Sequence, residues 1–213
     1  MYGKQFVFEE AEKTRTLGPE TFVGGTFVGV SFSESRPGHQ LVIRNVEFVG
    51  CRFFRSPLRL HNNVVVDGLR LRRVQCEGGL FVGVNGDFRG VVIEGREPFH
   101  VEIKLEGDAS NAAGPQLDIG RWEGTYISAA GVDPRRCIYD RNRVAGVLRS
   151  ELRTEGLKAM GVPPRPYWKW VFRQLRSMGV ETGLISCPED WGRVELERWQ
   201  RELEKLREAG YVL

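Results

Sequence analysis

The chain has 213 residues, 41% of them hydrophobic and 28% charged, with a formal net charge of +3, a balance that excludes wholesale disorder and leaves room for one large core or two smaller ones. Arginine outnumbers lysine by 25 to 6, which supplies rigid donors suited to carboxylates and phosphates. The opening run MYGKQFVFEEAEKTR lacks the apolar stretch of a signal peptide and no segment approaches the roughly 18–20 apolar residues of a membrane span, so a cytoplasmic protein without membrane association is expected.

In the first half a degenerate pattern recurs at unequal intervals: Phe27, Val30 and Phe32; Phe48, Cys51 and Phe53; Leu71, Val74 and Cys76; Phe88, Val91 and Ile93. The residue before each middle position is Gly29, Gly50, Arg73 or Gly90, as expected of a chain that turns often and tightly. Within 21–32, 41–53, 64–76 and 80–93 the apolar residues alternate, so that Val46 and Phe48, or Leu69 and Leu71, share one face of a strand while Glu47 and Arg70 point away. Short strands whose apolar column is covered only by neighbouring coils define a solenoid. The expected fold is therefore mainly β, an N-terminal solenoid of the right-handed β-helix kind followed by a small α-helical C-terminal region. An antiparallel β-sandwich or barrel plus helices is the alternative, because short strands between glycine turns occur there too.

The spacing of Phe22, Phe27 and Phe32, and again of Phe48 and Phe53, resembles that of the pentapeptide-repeat proteins within residues 21–105. The resemblance implies a right-handed quadrilateral β-helix with a bulky residue at the centre of each five. The unequal intervals, and the missing small residue two positions before each centre, depart from that pattern.

Further along, residues 99–105 alternate between Pro98 and Gly107 and are expected to form one more rung or an edge strand at the end of the stack. Small and turn-forming residues fill 107–115, and 117–127 reads as one more strand or as a cap in which Trp122 covers the open end. The division expected is a solenoid with its cap over 1–130 and a helical domain over 131–213.

Three helices are predicted in the second part, near 140–155, 166–178 and 189–209. Val144, Val147, Leu148 and Leu152 are spaced three and four apart; Tyr167, Trp168, Val171, Phe172, Leu175 and Met178 line one side of the second helix. Ser186 with Glu189 matches a capping box and Pro188 suits a first turn. In the third helix Leu196, Trp199, Leu203 and Leu206 form the apolar stripe, with Glu197–Arg201 a favourable pair and Glu204–Glu208 an unfavourable one.

Charge is concentrated rather than spread. Residues 135–176 hold 11 basic against 3 acidic groups, interleaved with Trp168 and Trp170. Trp168 and Phe172 lie four apart and belong in a core, whereas Trp170 and Arg173 fall on another face. The partner-binding candidates are Arg141, Arg149, Arg153, Lys169, Trp170 and Arg173, since tryptophan and arginine often dominate binding energy. Such a surface suits an acidic protein, and nucleic acid is the competing ligand. In the plainest reading the arginines are a solvated face and ion-pair partners for the acidic third helix.

Catalytic signals are sparse. The chain has no phosphate loop, no His-Glu-x-x-His and no nucleophile elbow. His39, His61 and His100 are isolated in sequence, although a solenoid can bring such residues together with Asp67 or Asp87, the arrangement a polysaccharide-active groove would need. Cys51, Cys76, Cys137 and Cys187 show no metal-binding spacing, and Cys137 near Asp140 has no histidine after it in the chain. No cofactor and no metal are expected. The function expected is a non-catalytic interaction module for a protein partner, adaptor-like or immunity- or antitoxin-like and of bacterial type. An uncapped solenoid end can also pair with a second copy as a homodimer.

Overall fold

The computed structural model describes residues 14–85, 87–105, 114–164, 166–187 and 193–213. The first coil runs β1 (Thr14–Leu17), β2 (Glu20–Val23), β3 (Thr26–Val28) and β4 (Ser31–Glu34), and the second β5 (Gln40–Val49), β6 (Arg52–Phe54) and β7 (Leu58–Asn62). The third holds β8 (Val64–Arg72), β9 (Gln75–Cys76) and β10 (Leu80–Val84), the fourth β11 (Phe88–Glu94) and β12 (His100–Leu105), and the fifth β13 (Leu117–Asp118) and β14 (Tyr126–Ala130). These strands pair in parallel from one coil to the next. The result is a β-solenoid of about five turns, not a sandwich or barrel. Its first sheet follows β1, β5, β8, β11 and β13 with β2 also on β5; the second is β3, β6 and β9; the third is β4, β7, β10, β12 and β14.

The register differs from the sequence repeat in one respect. Phe48 stands between Phe22 and Leu71, Phe53 between Phe27 and Cys76, and Leu71 beside Ile93. Phe27 is thus the counterpart of Phe53 rather than Phe48, and Ile93 rather than Phe88 is the counterpart of Leu71. Inward positions recur about every five residues inside a coil, as the chain turns from one face to the next. Matching apolar spacing therefore arises between faces as well as between coils.

β1 and β2 pair with the two halves of β5, on either side of Asn45. There Asn45 (φ 52), Gly68 (φ 89) and Gly90 (φ 65) stack in the left-handed region, so the first sheet folds over a corner and the early coils have four short extended runs. A side chain at Gly68 would meet Asn45 Oδ1 at 2.8 Å, which keeps that corner tight. The second sheet stops after three coils. In the fourth, the Glu97 carboxylate accepts the Cys76 backbone N–H at 2.6 Å, the position a strand carbonyl would take, and the following Pro98 has no N–H to offer.

Inside, Phe22, Phe27, Phe48 and Phe53 pack as alternating stacked and edge-to-face rings with centroids 5.0–5.6 Å apart. Residues 99–105 are one more rung rather than an edge strand or the end of the stack: β12 pairs with both β10 and β14. Trp122 is buried within the core and donates its Nε1–H to Pro98 O at 2.8 Å rather than covering an open end.

Beyond the fifth coil, β15 (Cys137–Ile138) adds to the first sheet. The third sheet is continued by β16 (Val144–Val147) and, after α1 (Thr154–Ala159) and α2 (Pro166–Ser177), by β17 (Gly183–Ser186). β17 runs antiparallel to β14, and β16 antiparallel to β17. The helix expected near 140–155 is therefore a strand at Val144–Val147 and a short helix further on. All four residues of β16 are buried; Val144 joins the solenoid core while Ala145 and Val147 join the helical one. A strand covered on both faces has a continuous apolar run, which sequence periodicity does not distinguish from a helix.

α2 and α3 (Arg193–Glu208) fall within the second and third predicted helices. Trp168, Phe172, Trp199 and Leu203 form the core between them and the sheet extension, with the indoles of Trp168 and Trp199 parallel at 6.2 Å and Trp168 Nε1 donating to the buried Glu202 at 3.0 Å. Glu197 pairs with Arg193 at 2.9 Å rather than with Arg201. The Glu189 and Pro188 of the expected capping box lie outside the described residues, and the Ser186 hydroxyl instead accepts the Ile127 N–H at 3.0 Å.

Candidate functional site

α2 begins at Pro166 and is amphipathic. Trp168, Val171, Phe172 and Leu175 are buried, and Lys169 and Arg173 are exposed. The i, i+3 and i+4 geometry of a helix sets Pro166, Lys169, Trp170 and Arg173 along one stripe. With Pro164 and Tyr167 these four line an open depression of about 560 Å³. Three rigid apolar groups, two pyrrolidines and a phenol, flank the half-buried Trp170 indole. Lys169 and Arg173 have no ion-pair partner among the described residues.

Tyr167 anchors this stripe to β17 by donating its hydroxyl to Ser186 O at 2.9 Å; burial pushes the phenol well above its ordinary range. Ser186 is in turn bonded to Ile127, whose neighbour Tyr126 lies edge-on to His100 at 5.5 Å on the outward face of the third sheet. The depression thus sits where the last coil meets α2. On its other side Trp170 borders a crevice formed with Ser128, Val147 and Gln174.

Three of the six candidates, Lys169, Trp170 and Arg173, come together in the depression, and Arg141, Arg149 and Arg153 do not line it. Arg141 sits in the turn before β16, and Arg149 and Arg153 are exposed in the segment leading to α1. Other arginines of the basic segment are turned onto backbone carbonyls: Arg136 onto Gly114, Arg143 onto Trp122 and Gly124, and Arg176 onto Ser150 and Leu152. Arg136 and Arg143 thereby fasten the chain before β16 to the last coil, and Arg176 fastens α2 to the segment before α1. Pro164 and Pro166, which a sequence reading treats only as helix breakers, form part of the wall.

A second depression, of about 460 Å³, lies along the corner of the first sheet and includes Glu47, Asp67, Arg70 and Arg89. Asp67 takes both bonds of the Arg89 fork at 2.9 Å and faces Arg44 at 3.4 Å. The hydrogen bond from Arg89 holds its carboxyl below the ordinary range. Glu47 pairs with Arg72, which also pairs with Glu94. Held ionised in this way, Asp67 is the wrong species to donate a proton. The histidines do not converge on them: His39 bonds Pro37 O, His61 bonds Ser31 Oγ at 2.9 Å on the third sheet, and His100 lies two coils further on. Cys137 donates its thiol to Asp133 O, and burial pushes it up to about 12, so it is no nucleophile at neutral pH. Among the described residues no three His, Cys, Asp or Glu side chains gather as a metal site, and no helix is long and apolar enough to cross a membrane.

Fold and site together define a parallel β-solenoid closed at one end by an antiparallel, helix-covered extension of its third sheet, with a basic aromatic depression at the junction. No protein-family model, curated protein or solved structure matches the chain.

Proposed function

We propose that the protein is a non-catalytic interaction module, adaptor-like in kind, that docks a protein partner where the end of the solenoid meets α2. The observation that carries this reading is the gathering in one depression of Lys169 and Arg173, cations without an ion-pair partner among the described residues, beside the half-buried Trp170 indole. A tryptophan ringed by apolar groups and flanked by cations has the composition of an interface centre. The turning of Arg136, Arg143 and Arg176 onto carbonyls breaks up the basic segment, which favours a compact docking point over the continuous cationic track that a nucleic-acid backbone requires.

The test is affinity capture by the full chain from an extract of its source cells, with and without nuclease, compared between wild type, Trp170→Ala and Arg173→Glu. A stoichiometric, nuclease-resistant protein that both variants lose supports the reading. Retention of that protein by both variants, or recovery of nucleic acid alone, overturns it.

A further inference from the structure

Resting on that docking reading, we infer that the occupant of the α2 depression is an extended acidic peptide segment of the partner, with carboxylates at alternate positions and an apolar side chain beside them. Charge complementarity sets the sign: among the described residues the depression offers two cations and no carboxylate. Helix geometry sets the spacing. Lys169 and Arg173 are four residues apart on α2, about 6 Å along the axis at about 1.5 Å per residue, and alternate residues of an extended chain stand about 6.6–6.8 Å apart on one face. Two carboxylates separated by one residue therefore meet both cations at once, whereas adjacent carboxylates point to opposite sides. The next residue on the same face of the peptide reaches the Trp170 indole and the rings of Pro164, Pro166 and Tyr167.

The test uses a fluorescein-labelled synthetic decapeptide with the core Leu-Ala-Glu-Ala-Glu, titrated with the full chain and followed by fluorescence anisotropy at low salt. Three competitors accompany it: a Leu-Ala-Lys-Ala-Lys peptide, an isomer with adjacent glutamates, and a single-stranded oligothymidine of the same length. Saturable binding is expected for the acidic peptide and none for the lysine peptide. The adjacent-glutamate isomer binds at least about threefold more weakly, having lost one exposed ion pair. Arg173→Glu and Lys169→Glu, both exposed and tolerant of substitution, each weaken binding about fivefold or more, and Trp170→Ala weakens it about tenfold. Thermal melts confirm that the variants are folded.

Absence of binding, equal affinity for the two glutamate isomers, insensitivity to the charge reversals, or tighter binding of oligothymidine each overturns the inference. The last result redirects the site to nucleic acid. Failure here together with partner capture that depends on Trp170 leaves the docking reading intact and refutes only the acidic-strand occupant. Peptide binding that the variants abolish, with capture unaffected, shows instead that the captured partner docks elsewhere.

Discussion

Replacing Phe48 by alanine tests the account of the solenoid core most directly. Phe48 is 2% exposed and touches three other rings at 5.0–5.3 Å. It also bridges Phe22 in the first coil and Leu71 in the third. A buried phenylalanine withdraws about 150–250 Å² from water, which at about 25 cal/mol per Å² amounts to roughly 4–6 kcal/mol. With the methyl group that alanine retains and the cavity it leaves, the expected loss is about 3–5 kcal/mol. Phe22, half-buried in the end coil, should lose about half as much. In urea, at a slope of about 2–3 kcal/mol/M, Phe48→Ala lowers the midpoint by roughly 1.5 M. Coils touch only their neighbours, so the damage should also be local. Native-state hydrogen exchange is expected to rise in β2, β3, β5 and β8 and to stay unchanged in α3. A midpoint shift under about 0.5 M, or an exchange increase of equal size in α3, refutes the reasoning.

Three further outcomes are expected. Gly50 has φ 59 with open space around it, whereas a Cβ on Gly79 (φ 96) would come within 2.7 Å of His100 O. Gly50→Ala should then cost about 1 kcal/mol and Gly79→Ala more than about 2 kcal/mol, with equal midpoint shifts counting against the assignment. Hydrogen bonds from the Arg36 side chain and N–H hold the Glu34 carboxyl down at about 2 from an ordinary 4.5. Its contribution to stability is therefore complete above about pH 4.5 and is lost as pH falls toward 2. Glu34→Gln should flatten the melting-temperature profile across that window, and an unchanged slope denies the linkage. Burial holds the Cys76 thiol up at about 11 and the Cys137 thiol up at about 12. Both should react with a thiol reagent at pH 8 more than about a hundredfold more slowly than free cysteine, and rapid modification of either in the folded chain would contradict their burial.

The solenoid was legible because its cause is local: alternation in β5 and β8 marks inward and outward residues one strand at a time. Its register was not, because Phe22, Phe27 and Phe32 fall on successive faces at the same spacing that Phe48 and Phe53 repeat a coil later. Only strand pairing distinguishes a step around the coil from a step along the stack. On α2 the candidate residues Lys169, Trp170 and Arg173 were legible because helical spacing alone sets them side by side. The segment 140–155 was misread because β16 is buried from both sides. Arg136, Arg143 and Arg176 looked like surface charge, since nothing in a sequence tells a guanidinium facing solvent from one closing on a carbonyl 19 to 26 residues away.

The change of strand direction after β14 closes that end of the ladder to a further rung, while its interior stays open to one. The next strand laid against β14 is β17, which runs the opposite way, and β16 and β17 are sealed beneath α2 and α3, so another parallel rung on that edge of the third sheet has no template to lie on. Between the third and fourth coils, by contrast, Arg72 meets Glu94 and Asp67 meets Arg89 at an interval of 22 residues. A duplicated block of that length inserted there brings its own counter-charges and inward residues into step. The spacing between the first coil and the α2 depression is thus an adjustable dimension of this architecture, set by rung number while both ends stay the same.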